Sequence, residues 1–192
     1  MRNAALTRTT KETDIAISIE LDGTGRADIN TGIGFFDHML TALCVHAGWD
    51  LTVNAKGDLY VDAHHTVEDV GILLGMAFLQ SLGSRSGISR YGECSVPMDE
   101  TLAQAVVDIS GRPFLVFKAE FEVPRVGFYE TQLTEEFWRA FTMNAQITLH
   151  LNLIYGSNDH HKAEALFKAA AHAMRKAAEV KGEKPLSTKG IL

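Results

Sequence analysis

The chain contains 192 residues, is 46% hydrophobic and carries a formal net charge of −6. This acidic balance, with no run of Lys or Arg longer than a pair, excludes the general basic field that attracts nucleic acid. The longest apolar stretch lies around residues 70–79. It is shorter than the roughly 20 residues of a membrane-spanning helix, and the amino terminus has no apolar signal region. We therefore expect a soluble, cytoplasmic protein that binds neither nucleic acid nor membrane.

The hydrophobic pattern of the first 90 residues predicts three strands and two helices. Strands are expected where apolar residues alternate with polar ones, at 14–21, 26–30 and 51–56. A first helix is expected from about Phe35 to His46. A second is expected from about His65 to Leu82, where Gly83 ends the helical pattern.

The second half of the chain repeats this order of elements. Strands are expected near 102–109, 114–122 and 146–154, and helices near 131–144 and 160–180. The sequence thus predicts an internally duplicated α+β fold, in which each of two similar halves has a roughly four-stranded sheet covered on one face by two helices. We expect half-repeats at 1–90 and 91–185, followed by a carboxyl-terminal tail at 186–192.

The pentapeptide HHxxE occurs twice, from His64 to Glu68 and from His160 to Glu164, at an interval of 96 residues. If these residues were only surface charges, neither a second copy of the motif nor a glutamate at the same spacing in both copies would be expected. Histidine and glutamate are common metal ligands. Adjacent side chains on a helix point about 100° apart, so each histidine pair suits two metal ions better than one. An HExxH zincin is poorly supported, because here the glutamate does not lie between the histidines. We predict a duplicated binder of two metal ions.

The duplication extends beyond the histidines. Glu12-Thr13 opens a predicted strand in the first half, and Glu100-Thr101 opens another in the second half, at an offset of 88. Residues 37–43 correspond to residues 135–141 at an offset of 98. The two halves therefore share one order of elements.

Several residues that could carry chemistry have a plainer interpretation. His46 and His172 are expected to be helix residues with a satisfied hydrogen bond, and His150 to be an ordinary strand residue. Cys44 lies in an apolar helical pattern and Cys94 in a predicted loop. They form neither a disulfide framework nor a CxxC metal site, so we expect reduced structural thiols.

Seven segments, spread over nearly the whole chain, resemble imidazoleglycerol-phosphate dehydratase, the enzyme of histidine biosynthesis, in the monofunctional form without a fused phosphatase domain. The resemblance is specific because the segments occur in the family's order. They are GIGFFDHML (32–40), DAHHTVEDVGI (62–72), SRYG (89–92), PMDE (97–100), DISGRP (108–113), NDHHKAEALFKA (158–169) and STKG (187–190).

The resemblance implies two Mn²⁺ ions per active site. One set of ligands would be His38, His65, His161 and Glu164, and the other His64, Glu68, His160 and Glu136. The family usually has histidine at position 136. Glutamate there could still coordinate, which would make a harder, more anionic set that favours Mn²⁺. Alternatively this contact is lost and water fills the place. A second departure is Thr41-Ala42, where many members carry Asp-Gln.

The resemblance also implies the reaction, which is loss of water from imidazoleglycerol phosphate to give imidazole acetol phosphate. Because no carbonyl adjoins the carbon that loses its proton, simple acid–base catalysis would face a prohibitive barrier. A metal-bound imidazolate could instead expel the hydroxyl to give a diazafulvene-like intermediate. By resemblance the carboxylate that then removes the proton is Glu12, with Glu100 a weaker candidate and Asp99 a possible assistant.

The family match assigns the substrate phosphate to Arg90, Arg112, Ser187 and Lys189, whose side chains offer the cationic and hydroxyl donors that an anion needs. It further implies a homo-oligomer of twenty-four chains built from trimers, with each dimetal site between chains. Two other functions remain open. A metal-storage assembly would need no arginines near the metal, and a dimetal hydrolase would more commonly have Asp-rich bridging ligands.

Overall fold

A computed structural model of the chain describes residues 2–188. In this part of the chain the first half contains β1 (Asn3–Thr9), β2 (Thr13–Glu20), β3 (Ala27–Asn30), α1 (Gly34–Ala47), β4 (Asp50–Gly57) and α2 (His64–Leu82). The second half contains β5 (Tyr91–Met98), β6 (Thr101–Asp108), β7 (Phe114–Lys118), β8 (Arg125–Val126), β9 (Tyr129–Glu130), α3 (Leu133–Ala145), β10 (Thr148–Tyr155) and α4 (Asp159–Ala178).

The two halves have the same sheet topology. The strand order is β1-β2-β4-β3 in the first sheet and β5-β6-β10-β7 in the second. In both sheets the last pair is parallel and the other two pairs are antiparallel. The second half adds a small β8–β9 hairpin before α3. This insertion explains why the offset between the halves is larger for α1 and α3 than for β2 and β6. The predicted duplicated α+β fold is confirmed.

The helices lie between the two sheets. Helices α1 and α2 contact the first sheet, and α3 and α4 contact the second, while α1 packs against α4 and α2 against α3. Each sheet is therefore covered on one face by two helices. Strand β2 shows the resulting alternation, because Ile15, Ile17 and Ile19 are buried and the residues between them are exposed. Burial of such side chains stabilises by about 1.5–3 kcal/mol each.

One hydrophobic cluster extends through both halves of the described chain, from the first sheet through the four helices to the second sheet. Aromatic rings form its centre, where Phe36, Phe137 and Phe167 are fully buried and the Phe137 ring contacts both of the others. The halves thus share one core. The division near residue 90 falls between α2 and β5, and the proposed division into 1–90, 91–185 and 186–192 stays a prediction.

The strand that opens each half was not located by the sequence pattern. Both β1 and β5 lie at an edge of their sheet, where fewer side chains are buried and the apolar signal is weak. Strand β5 also contains Gly92 and Pro97, which are unusual in central strands but tolerated at edges. A Cβ on Gly92 would collide with the carbonyl oxygen of Ala173 in α4. Glycine thus permits the close approach of α4 to β5.

Two local predictions were wrong. Cys94 lies in β5 and not in a loop, and the strand expected at 114–122 ends at Lys118. Both cysteines are free, as expected. Burial raises the pKa of the Cys44 thiol to about 11. Among residues 2–188, no helix combines the length and apolar character needed to cross a membrane.

Candidate metal and substrate site

Both HHxxE segments begin in the first turn of a helix. His64 begins α2, and its backbone N–H donates to Asp62 Oδ1 at 2.8 Å. At the start of α4, the Asn158 side chain caps the helix by accepting from the backbone N–H groups of His160 and His161. Such caps satisfy donors that the first helical turn leaves unpaired.

The two histidines of each segment point in different directions. Their ring centroids lie 6.2 Å apart in both pairs, and the ring planes are inclined by 86° in the first and 82° in the second. This geometry agrees with the expectation from helical spacing that adjacent histidines face separate positions.

Three potential ligands converge where α1 meets α4. The Nε2 atoms of His38 and His160 lie 3.1 and 3.2 Å from Glu164 Oε2. The three ligand atoms all lie within 4.8 Å of one another, and they form the one such group found among residues 2–188. Two imidazole nitrogens and a carboxylate oxygen suit a divalent transition metal. The donor set therefore fits the metal implied by the resemblance.

Glu164 is held in its charged form at this position. It is buried, which disfavours the carboxylate, but hydrogen bonds and charge from Lys168 and His38 outweigh burial and lower its pKa. Lys168 Nζ contacts Glu164 Oε1 at 2.6 Å, which leaves Oε2 directed at the two histidines. An ionised carboxylate is what a cation site requires. Lys168 was missed from the sequence, although its i+4 spacing from Glu164 was visible.

The other histidine of each segment is hydrogen-bonded to a carboxylate. The His65 Nδ1 donates to Asp58, 3.0 Å from Oδ2, and this bond raises the pKa of His65. The His161 Nδ1 donates to Glu100 Oε2 at 2.8 Å, which likewise raises the pKa of His161. The same contact, with backbone donors at Asn158 and Ser157, lowers the pKa of Glu100.

The predicted proton-transfer carboxylates lie next to these histidines. Glu12 Oε2 is 3.9 Å from His65 Nδ1, and Asp99 Oδ2 is 3.8 Å from His161 Nε2. The Glu12 side chain is half exposed and that of Asp99 largely exposed. Each HHxxE segment is therefore accompanied by acidic groups from the turn between the first two strands of its own half. Asp58, which follows β4, was missed because no motif marks it.

His64, Glu68 and Glu136 correspond through the duplication to His160, Glu164 and His38. They do not converge to the same degree among residues 2–188. Glu136 Oε2 lies 3.9 Å from Arg139 Nε on the same helix. The structure also places His160, and not His65 or His161, beside His38 and Glu164. The division of the eight ligands between two ions stays a prediction.

The predicted phosphate-binding arginines cluster around Asp108. Arg90 donates through Nε to Asp108 Oδ1 at 2.7 Å and through Nη1 to the Leu186 carbonyl at 2.7 Å. Its side chain is 13% exposed, whereas that of Arg112, 3.4 Å from Asp108, is 67% exposed. Ser187 follows Leu186 directly. Lys189 lies outside the described residues.

This arginine cluster is far from the HHxxE segment of the same half. Arg90 precedes β5, while Asp99 and Glu100 follow it. The strand has 8 residues, so its ends lie roughly 23 Å apart at about 3.3 Å per residue. One small phosphorylated substrate cannot span that distance.

The remaining histidines agree with their plain interpretation. His46 Nδ1 and His172 Nε2 are hydrogen-bonded at 3.0 Å between α1 and α4. Burial lowers the pKa of both, and nearby cations, Lys168 for His46 and Arg175 for His172, add to the effect. A cationic environment of this kind disfavours a metal ion. His150 lies exposed in β10.

The fold and the site together define an internally duplicated α+β protein with a candidate His₂Glu metal site. Comparison with known proteins identifies the family. A family profile described as imidazoleglycerol-phosphate dehydratase matches residues 31–174. Relatives described as imidazoleglycerol-phosphate dehydratase include one from Methanosarcina barkeri, 55% identical over all of both chains. Another, from Exiguobacterium, is 56% identical over 99% of this chain and 98% of its own length.

Solved structures agree. The crystal structure of imidazoleglycerol-phosphate dehydratase from Staphylococcus aureus is 44% identical, with a TM-score of 0.83 over 91% of this chain and 97% of that one. The crystal structure of the Pyrococcus furiosus enzyme in complex with (S)-C348 is 35% identical, with a TM-score of 0.85 over 97% of this chain and all of that one. The chain belongs to the imidazoleglycerol-phosphate dehydratase family. It is a hydro-lyase of histidine biosynthesis.

Proposed function

We propose that dehydration of imidazoleglycerol phosphate takes place at a Mn²⁺ centre built on the His38, His160 and Glu164 cluster, with two ions in each complete site. The observation that carries this proposal is the convergence of three ligand atoms within 4.8 Å. The remaining histidines of the HHxxE segments, together with Glu68 and Glu136, are proposed as the further ligands.

The metal and the protein residues would carry different parts of the reaction. Bound to the imidazole ring of the substrate, the metal would supply Lewis acidity that favours the deprotonated ring and loss of the C3 hydroxyl as water. Glu12 is proposed to take the proton from C2. The enol that results becomes the ketone of imidazole acetol phosphate. Proton removal by a positioned carboxylate typically contributes 10²–10⁴-fold to a rate.

Glu12 is better suited to this step than its two alternatives. Its carboxylate is 53% exposed and stands 3.9 Å from His65. Glu100 already accepts from His161 and from the backbone N–H groups of Ser157 and Asn158, so its oxygens are engaged. Asp99, at 81% exposure, is less fixed than either glutamate. We assign Glu12 as the base, assisted by Asp99.

The phosphate is proposed to bind at Arg90, Arg112, Ser187 and Lys189. Because Arg90 is held by Asp108, the exposed guanidinium of Arg112 is the better placed of the two to meet an incoming anion. The roughly 23 Å along β5 separates these residues from the HHxxE segment of their own half. We therefore propose a homo-oligomer in which metal ligands and phosphate ligands come from different chains, with the twenty-four-chain particle as its form and the cytoplasm as its location.

Metal dependence is tested with protein stripped by a chelator and then given Mn²⁺, beside a Glu136→Gln variant. Restored dehydration in the unmodified protein and loss in the variant would support Glu136 as a ligand. Tight Mn²⁺ binding without restored turnover would contradict the proposal and favour metal storage.

Shared sites are tested by mixing two inactive variants, Glu12→Gln and Arg112→Ala. If each site combines residues of different chains, then stripping, mixing and reassembly with Mn²⁺ will generate some sites with both residues intact. Activity should rise above that of either variant treated alone. No gain after confirmed mixing would contradict a site between chains.

A further inference from the structure

The hydrogen bond between Asp58 and His65 fixes which ring nitrogen can bind metal. A carboxylate can only accept, so the His65 Nδ1 must carry the proton, and the lone pair is left on Nε2. Asp58 is itself well held, because its side chain is 12% exposed. Its backbone N–H donates to the Glu12 carbonyl at 3.1 Å, and its carbonyl accepts from Val61 at 2.8 Å.

The second half arranges His161 in the same way with a different carboxylate. Glu100 Oε2 accepts from His161 Nδ1 at 2.8 Å, while Oε1 accepts from the backbone of Ser157 and Asn158 at 3.1 and 2.8 Å. This bond also leaves the lone pair on Nε2. A carboxylate that fixes the tautomer of a metal-binding histidine is a common support of metal sites.

The two halves differ in which carboxylate holds the histidine. By sequence offset, the counterpart of Glu100 is Glu12, yet Glu12 stands 3.9 Å from His65 Nδ1 and is half exposed. In the first half Asp58 occupies the position at the imidazole that Glu100 occupies in the second. Glu12 and Glu100, which correspond through the duplication, therefore have different surroundings.

We infer that Asp58 is a positioning residue, which holds His65 with Nε2 directed at a metal and thereby leaves Glu12 available for proton transfer. Glu100 holds His161 in the same manner and is a positioning residue, not a base. The inference rests on the proposed function, because it gives both histidines metal-binding roles. It assigns to Asp58 a part in the reaction that no motif in the sequence indicates.

The first test measures Mn²⁺ binding to the stripped full-length protein, without substrate, from the electron paramagnetic resonance signal of free Mn²⁺. In Asp58→Asn the amide can donate to Nδ1 and so favour the wrong tautomer. Loss of such a support typically weakens metal binding by about 10–100-fold, and we expect that range for Asp58→Asn and Glu100→Gln. Asp28→Asn, the same change at an exposed residue of β3, should leave binding unaltered.

The second test separates positioning from general structural damage. Since Asp58 acts through His65, Asp58→Asn should cause no additional loss of Mn²⁺ affinity in a His65→Asn background. Asp58→Glu keeps an acceptor and should recover most of the affinity. Unchanged affinity in Asp58→Asn, or a full additional loss in the His65→Asn background, would overturn the inference.

Turnover is measured separately so that failure of the Asp58 inference can be distinguished from failure of the proposed function. Glu12→Gln should bind Mn²⁺ as the unmodified protein does and lose kcat, which would confirm that Glu12 and Asp58 have different tasks. If dehydration by the unmodified protein does not depend on Mn²⁺, the proposed function fails. The affinity measurements would still decide whether Asp58 positions His65 for a metal.

Discussion

Replacing Gly75 with alanine should destabilise the contact between α2 and α3. Both helices contribute proposed ligands, and glycine allows their backbones to approach closely. A Cβ at position 75 would lie 2.5 Å from the Phe141 carbonyl oxygen, 3.0 Å from the Ala145 nitrogen and 3.0 Å from the Asn144 Cβ. Two of these atoms belong to the backbone of α3, so the helices must move apart to make room.

The magnitude follows from two opposing effects. Overpacking of a tight core typically costs about 1–3 kcal/mol, and backbone collisions place the cost of Gly75→Ala at the upper end of this range. Alanine recovers about 1 kcal/mol through its higher helix propensity. The net loss is about 2 kcal/mol, which for a chain of this size lowers Tm by about 4–8 °C.

The assay is thermal unfolding followed by circular dichroism on chelator-stripped protein, because bound metal would add its own stabilisation. Gly34→Ala is the matched control. Gly34 is the first residue of α1, and a Cβ there would have no atom within 4 Å. Its Tm should stay equal or rise slightly. A Tm for Gly75→Ala at or above that of the unmodified protein would refute the reasoning about close helix approach.

Four further predictions concern the site. Glu164→Gln removes the anionic ligand of the converging cluster and should weaken Mn²⁺ binding by about tenfold or more, measured by calorimetric titration; full retention would exclude this cluster as a metal site. Metal binding should be lost as pH falls through the pKa values of His65 and His161, which their carboxylate partners raise, so the loss should begin at higher pH than for ordinary histidines. In metal-free protein the raised pKa values of His65 and His161 have the opposite effect on pH dependence. They stabilise the folded state fully below the histidine pKa of the unfolded chain, and this stabilisation is lost as pH rises through the folded-state pKa. Tm values measured at a series of pH values check this sign. Lys189→Ala should raise KM sharply in steady-state assays if the tail binds phosphate, and an unchanged KM would remove Lys189 from the site.

The interior of the fold could be predicted from the sequence because its signals are local. The alternation of Ile15, Ile17 and Ile19 identified a strand with one buried face, and the helical periodicity after His64 identified α2. Repetition of these patterns predicted the duplication, which the two identical strand orders confirm. Strands β1 and β5 were missed because few of their side chains are buried, so their apolar pattern is faint.

The chemical character of the site was also present in the sequence. Two HHxxE segments at matched spacing indicated metal ligands at two helix starts, and seven segments indicated the family. Residue types and short spacings are properties of the chain itself, and they are visible in the sequence whatever the tertiary structure is.

Which ligands meet was decided only by the tertiary structure. His38 and Glu164 are separated by 126 residues, and they meet because α1 and α4 pack against each other. Asp58 reaches His65 only because the chain turns back after β4. The distance from Arg90 to Glu100 depends on β5 being one extended strand. Local patterns specify elements, whereas the meeting of distant side chains depends on how those elements pack and pair, which no short segment encodes.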